Sequence, residues 1–395
     1  MLRLQSFSNI YLFPQSSNEY ILFQRDSQTS VYTTNVCFET KHTNPILFRY
    51  ENNSLVCPRG YLHWDPSTGK FILQYERKGI YKFKTILVAM SKIGICHWNP
   101  RYTVQGNQNM LKDGCETLLT HKKTYCKIYL GNKWNTYLRD PKLSTKYNTL
   151  LDCFTSPMYQ DVDWSLFTQV VIVAHSMRKS SNYWLTSFTT QDAQEEQKEF
   201  YDLACYLRNT YPSTQFILQT WETDHHLRSC KSLEASDRCV FWLTSRQAGV
   251  TDAFRENTSK QNVWHCAEVN LVYCNKAWNM VNSVLPKCKV DFISYSAYDS
   301  QNSFTSFLSC LDKIQSVSNG ARCYIGEFGW KCNQTVSDTN AIISMIRNIS
   351  ALCQFEVCYY WQLYDNGNKE HENYGLLSQT GEPRLFTNAV LWNEM

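Results

Sequence analysis

Tyr324-Ile-Gly-Glu-Phe-Gly-Trp330 is a short apolar run that carries one carboxylate, Glu327, between two glycines. The residues Arg322 to Ile325 are β-prone, and Gly326 and Gly329 permit close backbone approach or a sharp exit, so the run predicts a strand that delivers Glu327 to a rim. Taken alone, a carboxylate there is equally well a charged loop residue, because glycines commonly follow strands. Its meaning comes from repetition. Seven similar apolar runs precede or follow it: Ile86 to Ile95, Tyr125 to Leu130, Gln169 to Ala174, Gln215 to Gln219, Asn262 to Ala267, Val290 to Ser294 and Val357 to Trp361. The first is the least defined, since Ile86 to Met90 and Lys92 to Ile95 are both strand-like.

Longer amphipathic stretches separate these runs. The clearest is Gln191 to Tyr211, where Phe200, Leu203, Ala204 and Leu207 line one face and Glu195, Glu196 and Lys198 are expected to face water. Strand and helix alternating eight times predict an α/β fold, a (β/α)8 TIM barrel over residues 84–395. A doubly wound sheet would call for a nucleotide fingerprint. The chain has no G-x-G-x-x-G and no G-x-x-x-x-G-K-S/T, and its 14 glycines leave few phosphate cradles. Residues 1–83 have a different texture, short alternating segments such as Ser17 to Gln24 and Ser30 to Glu39 broken by turns including Asp65-Pro-Ser-Thr-Gly69, and predict a small β-rich N-terminal module.

With 395 residues, 43% hydrophobic and 19% charged, the chain can bury a large core. Lys+Arg 39 against Asp+Glu 35 gives a net charge of +4 without long blocks of either sign, which argues against nucleic acid as a partner and against a polybasic membrane anchor. No run approaches the roughly 18–20 apolar residues of a membrane span, and the first residues lack the apolar core of a signal peptide. The 17 cysteines read mainly as buried thiols, as at Cys205, Cys266, Cys274 and Cys358. Cys230 with Cys239, Cys323 with Cys332 and Cys37 with Cys57 are spaced for local disulfides instead, which spacing alone does not decide. With sequons at Asn52, Asn257, Asn333 and Asn348, secreted and cytoplasmic locations both stay open.

In a (β/α)8 barrel the chemistry sits on the loops after the strands, so the residues just past each run carry the functional information. Here they are polar and aromatic: Ala174-His-Ser176, Thr220-Trp-Glu-Thr-Asp-His-His226, Cys266-Ala-Glu-Val-Asn270, Tyr295-Ser-Ala-Tyr-Asp299, Gly326-Glu327 and Trp361-Gln-Leu-Tyr-Asp365. Three carboxylates directly after apolar strands would repel and raise one another's pKa if packed together, an arrangement that points to a reaction. Two opposed carboxylates suit glycoside hydrolysis: one protonates the leaving oxygen and the other, roughly 5 Å away in the retaining case, attacks the anomeric carbon. The 14% aromatic content fits sugar stacking and equally fits a large core.

On these residues the chain resembles the retaining (β/α)8 glycoside hydrolases of clan A, whose acid/base Glu follows strand four and whose nucleophile Glu follows strand seven. The resemblance covers residues 84–395 and is carried by Ile325-Gly-Glu-Phe-Gly329, Phe216-Ile-Leu-Gln-Thr-Trp-Glu222, the sixth-strand tyrosines and Tyr360-Trp361. It implies Glu327 as nucleophile, Glu222 as general acid/base, Tyr298 or Tyr295 as hydrogen-bond donor to the nucleophile, and Trp361 as the sugar floor. It implies a carbohydrate substrate and no metal or organic cofactor. Many of these enzymes hold the sugar 2-hydroxyl with an Asn just before the acid/base. Trp221 stands there in this chain, so Asn270 or His175 is expected to supply that bond. Glu268 is the rival acid/base if the strand count is off by one, and otherwise a partner for a rim arginine such as Arg246. Asp365 and Asp224 fit either a sugar hydroxyl or a helix N-cap. The segment Val240 to Val250 predicts a helix that buries Phe241, Trp242 and Leu243 and brings Arg246 and Gln247 towards the rim.

Two other readings compete. A metal-dependent barrel hydrolase is suggested by His97, His175, His225, His226 and His265 near strand ends, although the His-x-His expected after strand one is missing. A carbohydrate-binding barrel that has lost catalysis is suggested by the missing Asn and the cysteine load.

Overall fold

The fold was described from a computed structural model. It describes residues 92–137, 145–230, 232–255, 260–273, 278–332, 336–350, 357–366 and 372–391, and the backbone of nine strands between residues 2 and 87. Eight parallel strands close into a barrel: β1 (Lys92–Cys96), β2 (Tyr125–Leu130), β3 (Gln169–Ala174), β4 (Gln215–Gln219), β5 (Val263–Val269), β6 (Phe292–Ser296), β7 (Arg322–Phe328) and β8 (Val357–Trp361). The ring closes where β1 pairs with β8, from Lys92 opposite Val357 to Cys96 opposite Trp361. The (β/α)8 barrel read from the alternation is therefore the observed fold.

Covering on both faces explains the composition of these strands. In β3 every residue is buried, and Val170-Val-Ile-Val-Ala174 reads as one apolar run because helices cover its outer face and the barrel interior its inner one. The helix Thr190–Thr210 opens with a capping box in which Thr189 and Asp192 satisfy each other's backbone N–H groups, and it buries Ala193, Phe200, Leu203, Ala204 and Leu207. It packs on the helix Glu234–Arg255, which approaches so closely at Gly249 that a Cβ there would stand 2.2 Å from the Gln197 carbonyl oxygen.

Several expectations need correction. The first barrel strand is the Lys92 candidate; of the upstream one, Ile86 and Leu87 belong to Ile80–Leu87, which pairs with Leu2–Leu4 outside the barrel, and Val88 to Met90 lie outside the described residues. β5 and β6 end two residues later than expected and β7 three, so Glu268 and Glu327 both lie within strands. Glu196 is buried, because the helix face it shares meets Arg246 and Tyr183. Phe241 is exposed, while Trp242 and Leu243 are core as expected. Cys230, Cys239, Cys323 and Cys332 are thiols, so neither of the two bridges drawn between them forms. Cys37, the side chain of Cys57, and Cys274 lie outside the described residues. Among the described residues no helix is long and apolar enough to cross a membrane.

The nine strands between Leu2 and Leu87 pair antiparallel in one sheet. We propose that residues 1–83 and 84–395 are separate parts of the chain, on the change of sequence texture between them.

Candidate active site

Inside the barrel the side-chain alternation along each strand selects a polar cluster. On β2 the inward position between Tyr125 and Tyr129 is Lys127, whose Nζ donates to Glu268 Oε1 at 2.9 Å, to the Gly326 carbonyl at 3.1 Å and to Glu327 Oε2 at 3.2 Å. Glu268, inward on β5, also accepts from Gln219 Nε2 at 2.7 Å and Ser294 Oγ at 3.0 Å through Oε1, and from the Glu222 backbone N–H at 2.9 Å through Oε2. Tyr324 O–H in turn donates to Gln219 Oε1, so the network is held from below. The Lys127 and Glu268 side chains are fully enclosed, whereas Glu327 keeps 9% of its side chain exposed and so opens towards the mouth.

Gly326 explains how β7 accommodates this. A Cβ there would stand 1.6 Å from Ser294 Oγ and 3.2 Å from Glu268 Oε1, so only glycine lets the strand pass the cluster. The pairing of β7 slips on both sides, between Tyr295 and Ser296 of β6 and between Ile325 and Phe328 against β8. Such irregularities re-aim a side chain, here Glu327. Gly329 is required in the same way, since a Cβ would stand 2.2 Å from the Trp361 carbonyl oxygen.

Glu222 follows β4 at the start of the short helix Thr223–Ser229. Its Oε1 accepts from Ser296 Oγ at 2.5 Å, and its Oε2 lies 2.9 Å from His225 Nε2. Ser296 stands opposite Glu327 in the β6–β7 register, so one β6 residue bridges the ends of strands four and seven. The His225 ring stacks on Trp221 with centroids 5.7 Å apart and planes 15° apart.

The charges are unevenly stabilised. Burial pushes Glu327 up; Lys127 opposes this, but Glu222 and Glu268 add to it, and the result is about 8. Burial also raises Glu268 despite Lys127. Burial alone would raise Glu222, but hydrogen bonds from His225 and Ser296 outweigh it and hold the carboxyl below its usual value. The contact with Glu222 raises His225 in turn. Burial works against the Lys127 ammonium, yet the charges of Glu268 and Glu327 raise it above its ordinary value. Three carboxyls around one ammonium at this depth cannot all ionise at modest cost, so the cluster retains a proton near neutral pH.

The other expected residues divide. Tyr298 is raised by burial and then by the Glu327 charge. Tyr295 is not a donor to Glu327. Ser294 and Ser296 point inward, so Tyr295 between them points outward, to Asp299, Ser300 and the Phe307 ring. Trp361 closes β8, joined to Gln362 by a cis peptide, with its ring 6.0 Å from that of Trp98, which in turn lies 4.9 Å from Tyr129. His175 is buried beside Tyr129, and burial, then Arg246, lowers it to about 3. Asn270 is buried, its N–H given to Asp224 Oδ2 and its own Oδ1 unpartnered. Asp224 receives the N–H groups of Asn270, Leu271 and Met280 and so ties down the β5 loop and the start of the helical turn Met280–Val284, without capping its own helix. Asp365 accepts from Gly375 N–H and pairs with Arg384 at 2.9 Å. Arg246 does not reach Glu268; it lies among the helices on Glu196 at 2.7 Å, and Gln247 is bonded to Asp291.

His225 and His226 both contact the Trp221 ring, whereas His97 and His265 stand apart from them. His97 Nε2 bonds the Met110 carbonyl, and His265 lies mid-strand against the Phe200 ring. Among the described residues no group of three His, Cys, Asp or Glu is arranged to hold a metal. A cavity of about 380 Å³ opens at the opposite end of the barrel, beside Gln169, Arg322 and Val357 at the strand starts, far from the glutamates.

Solved structures share this fold. A GH5_18 protein from Bifidobacterium longum subsp. infantis matches with a TM-score of 0.52 and 11% identity, over 77% of this chain and 78% of that one. Bacteroides uniformis β-glucuronidase 2, covalently bound to cyclophellitol-6-carboxylate aziridine, matches with a TM-score of 0.50 and 8% identity, over 95% of this chain and 40% of that one. No protein-family model and no curated protein sequence matches the chain.

Proposed function

We propose that this chain is a glycoside hydrolase that works with retention, with Glu327 as nucleophile and Glu222 as general acid/base. The observation that carries the reading is the convergence of Glu222 and Glu327, from the ends of β4 and β7, on Ser296 and on the Lys127–Glu268 pair. The β-glucuronidase of the same fold, held covalently by a sugar-like aziridine, is in keeping with a nucleophile on such a barrel.

The reaction starts from the protonation state in which Glu222 carries the proton and Glu327 is charged. Lys127, 3.2 Å from Glu327 Oε2, is the group that stabilises that charge in the dry interior. Glu327 attacks the anomeric carbon while the glycosidic C–O bond breaks and the leaving oxygen takes the Glu222 proton. Water then attacks the glycosyl ester, gives its proton to Glu222 and frees Glu327. Trp361 and Trp98 offer an aromatic wall for the sugar, and Tyr298 is within electrostatic reach of the nucleophile. Glu268 serves as the anchor of Lys127 and of the Glu222 backbone.

The test is a panel of 2,4-dinitrophenyl and phenyl glucosides, galactosides, mannosides and glucuronides, with oligosaccharides, run with wild type and Glu327→Ala. The variant should lose on the order of 10⁴-fold or more, as removal of a nucleophile does. The first product seen by proton NMR should keep the anomeric configuration of the substrate. Wild-type turnover by Glu327→Ala overturns the assignment, and an inverted product overturns retention.

A further inference from the structure

One contact in this site has no part in the two-carboxylate scheme. His225 sits one helical turn beyond Glu222 with Nε2 2.9 Å from Oε2, its ring stacked on Trp221, and its side chain 42% exposed to the mouth where Glu222 is 9% exposed. The other oxygen of Glu222 is taken by Ser296 from β6. Glu222 therefore meets one partner that never titrates and one, an imidazole whose pKa this contact raises, that does.

We propose that His225 decides which of the two opposed glutamates carries the site's proton: as imidazolium it holds Glu222 ionised, and as neutral imidazole it releases Glu222 to act as the acid. The proposal rests on the reading of Glu222 as acid/base, and it makes His225 a positioning residue that acts through that carboxyl. The charged and titratable groups around the pair support it. From β2 comes Lys127, from β5 Glu268, from β7 Glu327, from the loop after β6 Tyr298, and from its own helix His226, Asp224 and Arg228, the last two acting on His225 in opposite directions. An imidazolium at Glu222 favours the ionised carboxyl there, and the repulsion this creates favours the proton on Glu327, the reverse of what the reaction uses. When His225 loses its proton, the proton that remains in the site is free to reside on Glu222, with Lys127 holding the charge on Glu327. No proton is created or lost in the exchange except the one His225 gives to solvent.

The consequence is an acid limb of kcat/KM set by His225. In wild type the rate on a phenyl glycoside falls as pH drops through the raised His225 pKa. His225→Gln and His225→Ala remove the cation, so their acid limb should lie at least about one pH unit lower, and at pH 5 they should exceed wild type severalfold relative to their own plateau. A separate reading avoids dependence on activity: the His225 C2 proton, titrated by NMR in wild type and Glu222→Gln, should show a lower pKa in the variant, because the leading cause of its rise is gone. If the acid limb does not move in either His225 variant, or the His225 titration is the same in Glu222→Gln, the proposal is wrong. If Glu222→Gln cleaves phenyl glycosides as wild type does, the acid/base assignment fails and takes the proposal with it. A Glu222→Gln protein crippled on phenyl glycosides beside an unmoved acid limb in the His225 variants removes the proposal alone.

Discussion

Lys127 and Arg246 are both cations buried to the point of losing water, yet the barrel uses them differently. Arg246 lies outside the strands, its guanidinium 4.0 Å above the Trp242 ring, one N–H on Glu196 and another on the Ala174 carbonyl. Glu196 is itself completed by the Tyr183 hydroxyl, and the next carboxyl, Glu199, is turned to the Leu150 N–H. Arg246 and Glu196 balance each other, while Glu199 is pushed up to about 7 by burial and by the Glu196 charge. Lys127 lies inside the ring with two carboxylates on it and Glu222 in electrostatic reach. A balanced pair is what a core tolerates. Around Lys127 the surplus of carboxylates lies inside the ring with Glu327 open to the mouth, and it is that placement, more than burial, that marks a reaction site.

The largest effects separate the two. Lys127→Met leaves Glu268 and Glu327 without a cation and should cost about 3–5 kcal/mol in urea unfolding at pH 7, with any remaining activity shifted so that its acid limb lies at higher pH. Arg246→Met strands Glu196 and should cost a similar amount, about 3–5 kcal/mol, but leave the acid limb in place. An acid limb that moves in Arg246→Met would break the distinction. Glu268→Gln is expected to be milder, since an amide keeps an acceptor for Lys127. Because the Glu268 charge helps to keep the site's proton on Glu327, its removal should let Glu222 take that proton more readily and move the acid limb to lower pH, opposite in sign to Lys127→Met. Limbs moving the same way in the two variants would mean that Glu327 does not respond to the interior charge.

The sequence reveals these two clusters unequally. Glu327 stands out because glycines on either side isolate it at the end of an apolar run, and eight runs of that kind are enough to imply a closed barrel. Lys127 is hidden, since a lysine within Tyr125 to Leu130 looks like a solvent-facing residue of an alternating strand. In a barrel covered by helices no face is solvated, and the parity of Tyr125, Lys127 and Tyr129 points it inward. The same parity argument sets Tyr295 outward once Ser294 and Ser296 are inward. Strand ends are what periodicity leaves open. Two more residues on β5 carry Glu268 from an expected rim position into the interior, where its four hydrogen bonds make it an anchor. Pairs such as Glu222–His225 and Arg246–Glu196 depend on how helices settle on the barrel, which no local pattern encodes.

The smallest effect tests the surplus directly. A carboxyl whose folded pKa is raised binds its proton more tightly in the native state than in the unfolded chain. Glu327, at about 8 against 4.5, therefore lowers the stability of the protein as pH rises through that interval, and the loss is complete only above about 8. Gln at 327 does not titrate and keeps an acceptor for Lys127. Glu327→Gln should thus be more stable than wild type at pH 8, on the order of 1–3 kcal/mol in urea melts, with the advantage shrinking towards pH 5. If Lys127 instead satisfies Glu327 as fully as Arg246 satisfies Glu196, the sign reverses: removal of a paired charge destabilises, and does so equally at both pH values. A pH-independent difference between Glu327→Gln and wild type would therefore place the two buried cations in one class and take away the physical reason for locating the reaction at Glu327.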